Sequence, residues 1–493
     1  MGQRTSGILL HLTSLPGPGG IGREAYDFVD FLASAGCGIW QMLPPSPMGP
    51  GNSPYAARSA FALEPMLISI AQLADDGLLD PRTDFYPETM NRHRHEFDLV
   101  RQHREPLLRA AFREFMAGGG RVRLDQFAAA NPWLAGYAAF ASLRELSREA
   151  WWLWPVRYHH PEEVPAAEGS SLGDEVRYQQ FLQWALDRQW HSLRDYARSR
   201  GVALYGDVPI FVDLDSADAW SNQALFKLAA DGQPAVVAGV PPDAFSSTGQ
   251  RWGNPHYDWD AMRENGFAWW VERMRRTFSL FDGVRIDHFR GFESAWEIPC
   301  AAETAMEGHW QQGPGRELFD ALSAALGELP IVVEDLGLIT PAVRELRDCL
   351  GYPGMAVLQF AFGDDETNPY LPHNQVANQV VFTGTHDNDT TLGWYRNASE
   401  WERDHVRRYL SVDGTDIVHD LVRCAYHSVA DTALIPMQDV LQLGSEARMN
   451  VPGSGEGNWA WRFTWDQLPE AGAQWLSDLA HETGRHASVA VAR

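Results

Sequence analysis

Eight short apolar runs punctuate the 493-residue chain, near residues 8, 40, 205, 285, 333, 358, 383 and 437, and no other feature restricts its fold so tightly. GILLHL (7–12) stops at a Pro16–Gly20 turn cluster, and IWQMLPPSP (39–47) runs into a Pro/Gly loop. Between them Ala25, Phe28, Val29 and Leu32 follow helical spacing, with Gly36 as the stop signal. Strand, helix, strand with short links begins a parallel sheet. Later connections such as GFAWWVERMRRTF, GRELFDALSAALG and TPAVRELRDCLG repeat the helical pattern. Eight strands with helical crossovers predict an α/β chain folded as a (β/α)8 barrel. A doubly wound open sheet is the competitor, but no glycine-rich phosphate loop follows the first strand.

Two stretches depart from the barrel rhythm. From about residue 58 to 200 the chain reads as long, charged helical segments, a mainly helical insertion into one catalytic domain spanning 1–493. A second insertion, a loop subdomain at about 215–275, contains the loop-rich Gly239–Asp260, dense in Pro, Gly, Ser, Trp and Tyr. Both are expected at the C-terminal face of the barrel.

A net charge of −25 argues against nucleic acid or an anionic membrane as partner. No apolar stretch approaches the length of a membrane span. The four cysteines are scattered without CxxC spacing, which fits neither a zinc site nor a disulfide framework and makes the cytoplasm the expected compartment. The heavy aromatic load, 20 Trp among it, supplies flat faces of the kind sugar rings pack against.

FDGVRIDHFRG (281–291) alternates Val284 and Ile286 with Arg285 and Asp287, so the two charged side chains share one strand face. Pairing with Arg285 is expected to lower the Asp287 pKa and keep it a charged nucleophile. A purely structural Arg–Asp pair is the alternative. Glu334 in VVEDLG and Asp387 in THDND also follow apolar runs, and in a barrel such ends converge on one mouth. Glycosidic cleavage needs one ionised carboxylate and one protonated carboxylic acid. Asp287 suits the first role, and Glu334, among other acids and so expected to be raised, suits the second. Asp387, beside His386, is placed to hydrogen-bond sugar hydroxyls. Helix-capping carboxylates remain the alternative for any single member. A metal site is disfavoured, since neither HExxH nor DxDxDG occurs.

These stretches resemble the α-amylase superfamily and, more narrowly, its 4-α-glucanotransferase (amylomaltase, or disproportionating enzyme) family. The narrower resemblance rests on SGILLHLTSLPGPGGIG, WQMLPPSPMGPGNSPYAA, YGDVPIFVDLDSADAW, GVPPDAFSSTGQRWGNPHYDW, FDGVRIDHFRG, EDLG, FTGTHDNDT and EGNWAWRF. It implies a TIM barrel with Asp287 as nucleophile, Glu334 as acid/base and Asp387 as the third acid. Arg285 and His386 would support these acids and the donor sugar, with Asp207, His288 and Asn388 among the substrate-binding groups. Tyr55 is similar to a donor-side sugar-packing residue, and Trp252 to part of the loop over the acceptor sites. Glu64 stands where many relatives are expected to carry Asn. The implied partners are α-1,4-glucan donors and acceptors: maltooligosaccharides, starch or glycogen chains, and glucose. No cofactor is implied, and the expected state is a monomer or weak homo-oligomer. The rival readings are a retaining α-glucan hydrolase with the same acids and a non-catalytic glucan-binding barrel.

Overall fold

The structure is a computed structural model that describes residues 4–82, 90–161, 164, 169–242, 246–469 and 471–487. Its strands, in chain order, begin with β1 (Thr5–Leu9), β2 (Ile39–Gln41), β3 (Ala203–Pro209), β4 (Val236–Val240), β5 (Gln250–Pro255) and β6 (Gly283–Asp287). They continue with β7 (Ser294–Pro299), β8 (His309–Gln312), β9 (Ile331–Val333), β10 (Gly354–Val357), β11 (Gln379–Phe382) and β12 (Thr432–Pro436).

Eight of them form one sheet in the order β10-β11-β12-β1-β2-β3-β6-β9, with every pair parallel. Read around a ring, this is sequence order. The Val333 amide donates to the Pro353 carbonyl at 3.0 Å, so the last gap, between β9 and β10, is bridged and the sheet is a (β/α)8 barrel. All eight runs picked from the sequence are barrel strands.

Alternation within each strand sorts the side chains. On β6, Val284 and Ile286 point outward into the main core between barrel and helices. The barrel lumen is filled by Ile39, Val332, Met355, Val357, Val380, Phe382 and Leu434. Arg285 and Asp287 point to that inner side, at its open end. Two glycines make the β3–β6 seam possible: a Cβ on Gly206 would lie 2.6 Å from the Phe281 ring, and one on Gly283 2.6 Å from the Tyr205 ring. With both seated, the register pairs Asp207 with Arg285. Sheet geometry thus puts a carboxylate beside a guanidinium before any side-chain preference acts.

Residues 58–200 are mostly helical where described: Ile70–Asp75, Phe97–Ala117, Gly120–Ala130, Trp133–Ser147 and Ser171–Ser199. The last of these packs against Arg23–Ser34 and Ala268–Leu280 and leads straight into β3. The Gly239–Asp260 stretch differs from the loop that its composition suggests. Outside residues 243–245, which are not among the described residues, it forms most of an antiparallel pair, β4 with β5. With β7 and β8 it completes a four-stranded sheet, β5-β4-β7-β8, closed over a small core of Val237, Ile298, Ala302 and Ala305.

Candidate active site

Arg285 is the hub. Its side chain is only 6% exposed, and Nη2 lies 2.8 Å from Asp287 Oδ1. Nε donates to Asp207 Oδ2 at 2.9 Å, and Nη1 is 3.4 Å from Glu334 Oε2. Three carboxylates around one buried cation leave an excess of negative charge, and they hold the guanidinium well above its ordinary range against the opposing effect of burial.

Glu334 arrives by register. β6 pairs with β9 up to Ile286 and Val333, and the Glu334 amide donates to the Ile286 carbonyl at 2.9 Å. The next side chain along therefore stands beside Asp287, and both carboxylates reach Arg285. The His288 amide donates to Glu334 Oε2 at 2.7 Å. His288 itself takes a left-handed backbone conformation, φ 51°, which turns the chain sharply off the strand so that this N–H can face Glu334.

The sequence expectation for Asp287 has the wrong sign. Burial, followed by the adjacent Glu334 carboxylate, pushes the Asp287 carboxyl well up, and Arg285 does not reverse it. Pairing alone would lower it, but here the cation is shared among three acids.

Asp207, with its side chain fully buried, accepts from Arg285 and from the Tyr55 hydroxyl at 2.8 Å. Burial raises its carboxyl despite Arg285. Tyr55 was singled out as a sugar-packing ring. Its hydroxyl is tied to Asp207, and one ring face lies 5.0 Å from the His386 ring at 16°. His386 is buried, which lowers its pKa, and its Nε2 lies 3.4 Å from Asp387 Oδ2. Asp387, by contrast, is 50% exposed, on the turn after β11. The Asn388 side-chain oxygen accepts from the Thr385 amide and hydroxyl, both at 2.9 Å, which shapes that turn. Trp252, on β5 and 40% exposed, meets the His288 ring edge-on at 4.8 Å. Burial lowers His288 to about 3, so it is neutral near pH 7. Glu64 accepts from the Met48 and Met66 amides, holding the loop that carries Tyr55.

Sequence reasoning overlooked four neighbours. His11, just past β1 and lowered by burial to about 3, faces His386. Trp459 brings its ring to 5.8 Å from Tyr55 and 6.0 Å from His386. Asn450 and Arg448 both bond Asp387. His11 was findable by the strand-end logic that found the acids. Trp459 lies in the EGNWAWRF stretch, to which no role was attached, and Arg448 and Asn450 precede it in a segment with no motif of its own. Among the described residues no group of three or more His, Cys, Asp or Glu is arranged to hold a metal ion.

Comparison with known proteins gives one consistent result. Residues 10–467 match the family model described as 4-alpha-glucanotransferase. A 4-alpha-glucanotransferase of Synechocystis is 46% identical over 489 residues, covering 96% of each chain. That of Thermus thermophilus is 46% identical over 500 residues, covering 98% of this chain and 99% of its own. Among solved structures, the amylomaltase from Streptococcus agalactiae in complex with acarbose superposes with a TM-score of 0.94 at 35% identity, over 98% of this chain and 100% of that one.

Proposed function

The chain belongs to the 4-alpha-glucanotransferase family, and on that premise we propose how its residues move α-1,4-glucan segments from a donor chain to the 4-hydroxyl of an acceptor. Asp287 attacks the anomeric carbon while Glu334 protonates the departing oligosaccharide oxygen. The bond to the leaving group breaks as the bond to Asp287 forms. Glu334 then removes the proton from an incoming sugar hydroxyl, which displaces Asp287 with net retention.

The observation that carries this reading is that Asp287 and Glu334 flank one Arg285 guanidinium, at 2.8 Å and 3.4 Å. An inverting reaction needs roughly 6.5–9.5 Å between its acids, to seat a water. Two acids seated on one guanidinium fit the closer spacing of a retaining pair, roughly 5–5.5 Å. Arg285 lies nearer to Asp287 than to Glu334 and favours negative charge on Asp287. Asp387 grips the hydroxyls of the sugar at the cleavage point. Asp207 and Tyr55 fix Arg285, and Trp252 supplies an apolar face on the acceptor side. Transfer prevails over hydrolysis where that side holds a sugar and keeps water from the intermediate.

Maltooligosaccharides, starch or glycogen chains and glucose are the donors and acceptors that fit this chemistry. A cytoplasmic enzyme fits the free cysteines, and a monomer or weak homo-oligomer fits the net charge of −25. Incubation with maltotriose tests the reading. Glucose together with longer maltodextrins, at constant total reducing ends, is the expected result. Rising reducing ends with only shorter products would replace transfer by hydrolysis.

A further inference from the structure

Asp387 has a difficulty that Asp287 lacks. It stands on an irregular turn five positions beyond the end of β11, and its side chain is half exposed. An exposed carboxylate turns freely about two bonds, and ordering it on each substrate encounter costs entropy. Something has to hold it in advance.

Two residues more than sixty positions later do so. Asn450 Nδ2 donates to Asp387 Oδ1 at 2.6 Å. Arg448 Nη2 donates to the Asp387 backbone carbonyl at 2.7 Å, and its Nε donates to the Asn450 carbonyl at 2.7 Å. The guanidinium thus clips the two backbone segments together, and the amide takes one carboxylate oxygen. Oδ2 remains for the sugar, with His386 behind it at 3.4 Å. The chemistry of the partner matters here. A cation on Oδ1 would neutralise Asp387, whereas a neutral amide fixes its direction and leaves the full negative charge facing the cationic transition state. The cation in this cluster is spent on carbonyl oxygens instead.

We propose that Asn450 is a positioning residue for the reaction: its amide fixes the Asp387 carboxylate in the orientation that grips the sugar, acting through Asp387 without neutralising it. This rests on Asp387 serving as the third acid. Losing one hydrogen bond to a charged group, with the misalignment that follows, corresponds to a loss of about 10- to 100-fold in kcat. KM for maltotriose stays nearly constant, because Asp387 tightens its grip in the transition state.

The test compares Asn450→Ala, Asn450→Asp, Asp387→Asn, and the double variant Asp387→Asn with Asn450→Ala, in maltotriose disproportionation across pH. Asn450→Ala lowers kcat as stated, and in the double variant it adds nothing to the loss from Asp387→Asn. Asn450→Asp sets a second carboxyl against Asp387. When both are ionised they repel and the donor is lost, and on acidification a proton bridges them and restores the donor. Relative to the native chain, its activity therefore recovers as pH falls, while the Ala variant shows no recovery. His386 on the same turn, Tyr55 and Asp287 across the mouth, and Arg448 on the backbone carbonyl are common to all variants and drop out of that ratio. Equal, pH-independent losses in the Ala and Asp variants would reduce Asn450 to a fold element and overturn the proposal. Native kcat in Asn450→Ala alongside a strongly impaired Asp387→Asn would overturn it too. Native kcat in Asp387→Asn would instead remove the third-acid reading beneath it.

Discussion

Asp287 and Asp387 hang from different strands of one barrel and are held in opposite ways. Asp287 is locked by register: β3, β6 and β9 bring Asp207, Arg285 and Glu334 around it, and the guanidinium at their centre is only 6% exposed. Asp387 sits half exposed on a turn, and its orientation comes from a loop far along the chain. The buried half carries strong electrostatics that the sheet cannot relax. The exposed half carries an adjustable grip. A retaining transferase needs both, since bond making demands a fixed nucleophile while sugars must enter and leave.

The sharpest way to break this comparison is to remove the chemistry without the charge network. Asp287→Asn and Glu334→Gln are expected to lower kcat by at least about 10⁴-fold, with thermal unfolding little changed. Steady-state transfer assays check the first statement and calorimetry the second. The next contrast is in stability. Arg285→Met leaves three carboxylates without their cation and is expected to cost about 3–5 kcal/mol in urea unfolding. Asp387→Asn, at an exposed position, stays within about 1 kcal/mol of the native chain. Equal costs would erase the distinction between the two halves.

A finer probe of burial is linkage at His288. In the fold it stays neutral down to about pH 3, whereas once unfolded it takes up a proton below its ordinary pKa of about 6.5. Unfolding therefore binds a proton in that window, and the stability His288 allows is present above pH 6.5 and lost as pH falls toward 3. In His288→Asn this loss is absent. The difference in unfolding free energy between the two chains should shift in the variant's favour by up to about 1.4 kcal/mol per pH unit below 6.5. A pH-independent difference would mean that His288 is wet. The smallest expected effect is at the exposed edge. Trp252→Ala should leave stability within about 0.5 kcal/mol and raise the share of reducing ends formed per transfer event, as read from the maltotriose products.

Those contrasts also mark what could be read without a structure. The barrel strands were legible because parallel strands buried on both faces write continuous apolar runs, and carboxylates directly after such runs announce the mouth. Alternation alone put Arg285 with Asp287. The antiparallel sheet was hidden because its strands lack that signature. β8 is HWQQ with every side chain exposed, and β5 is QRWGNP, with Gly and Pro in the run. The sign of the Asp287 shift was hidden as well. A strand pattern reveals the neighbour two residues away, but not that Glu334 and Asp207 share the same cation from other strands. Asn450 was out of reach for a plainer reason: 63 residues separate it from the carboxylate it holds.

One measurement addresses the central claim directly. Glu334→Gln, supplied with an α-maltosyl fluoride, has a leaving group that needs no acid and lacks the base that would release the intermediate. Mass spectrometry of its digest should find a maltosyl adduct on the peptide containing Asp287, absent when Asp287→Asn is added. An adduct on another carboxylate would contradict the assignment of Asp287 as nucleophile. Rapid fluoride release that persists in the double variant, with no adduct at any time, would contradict the covalent double displacement itself.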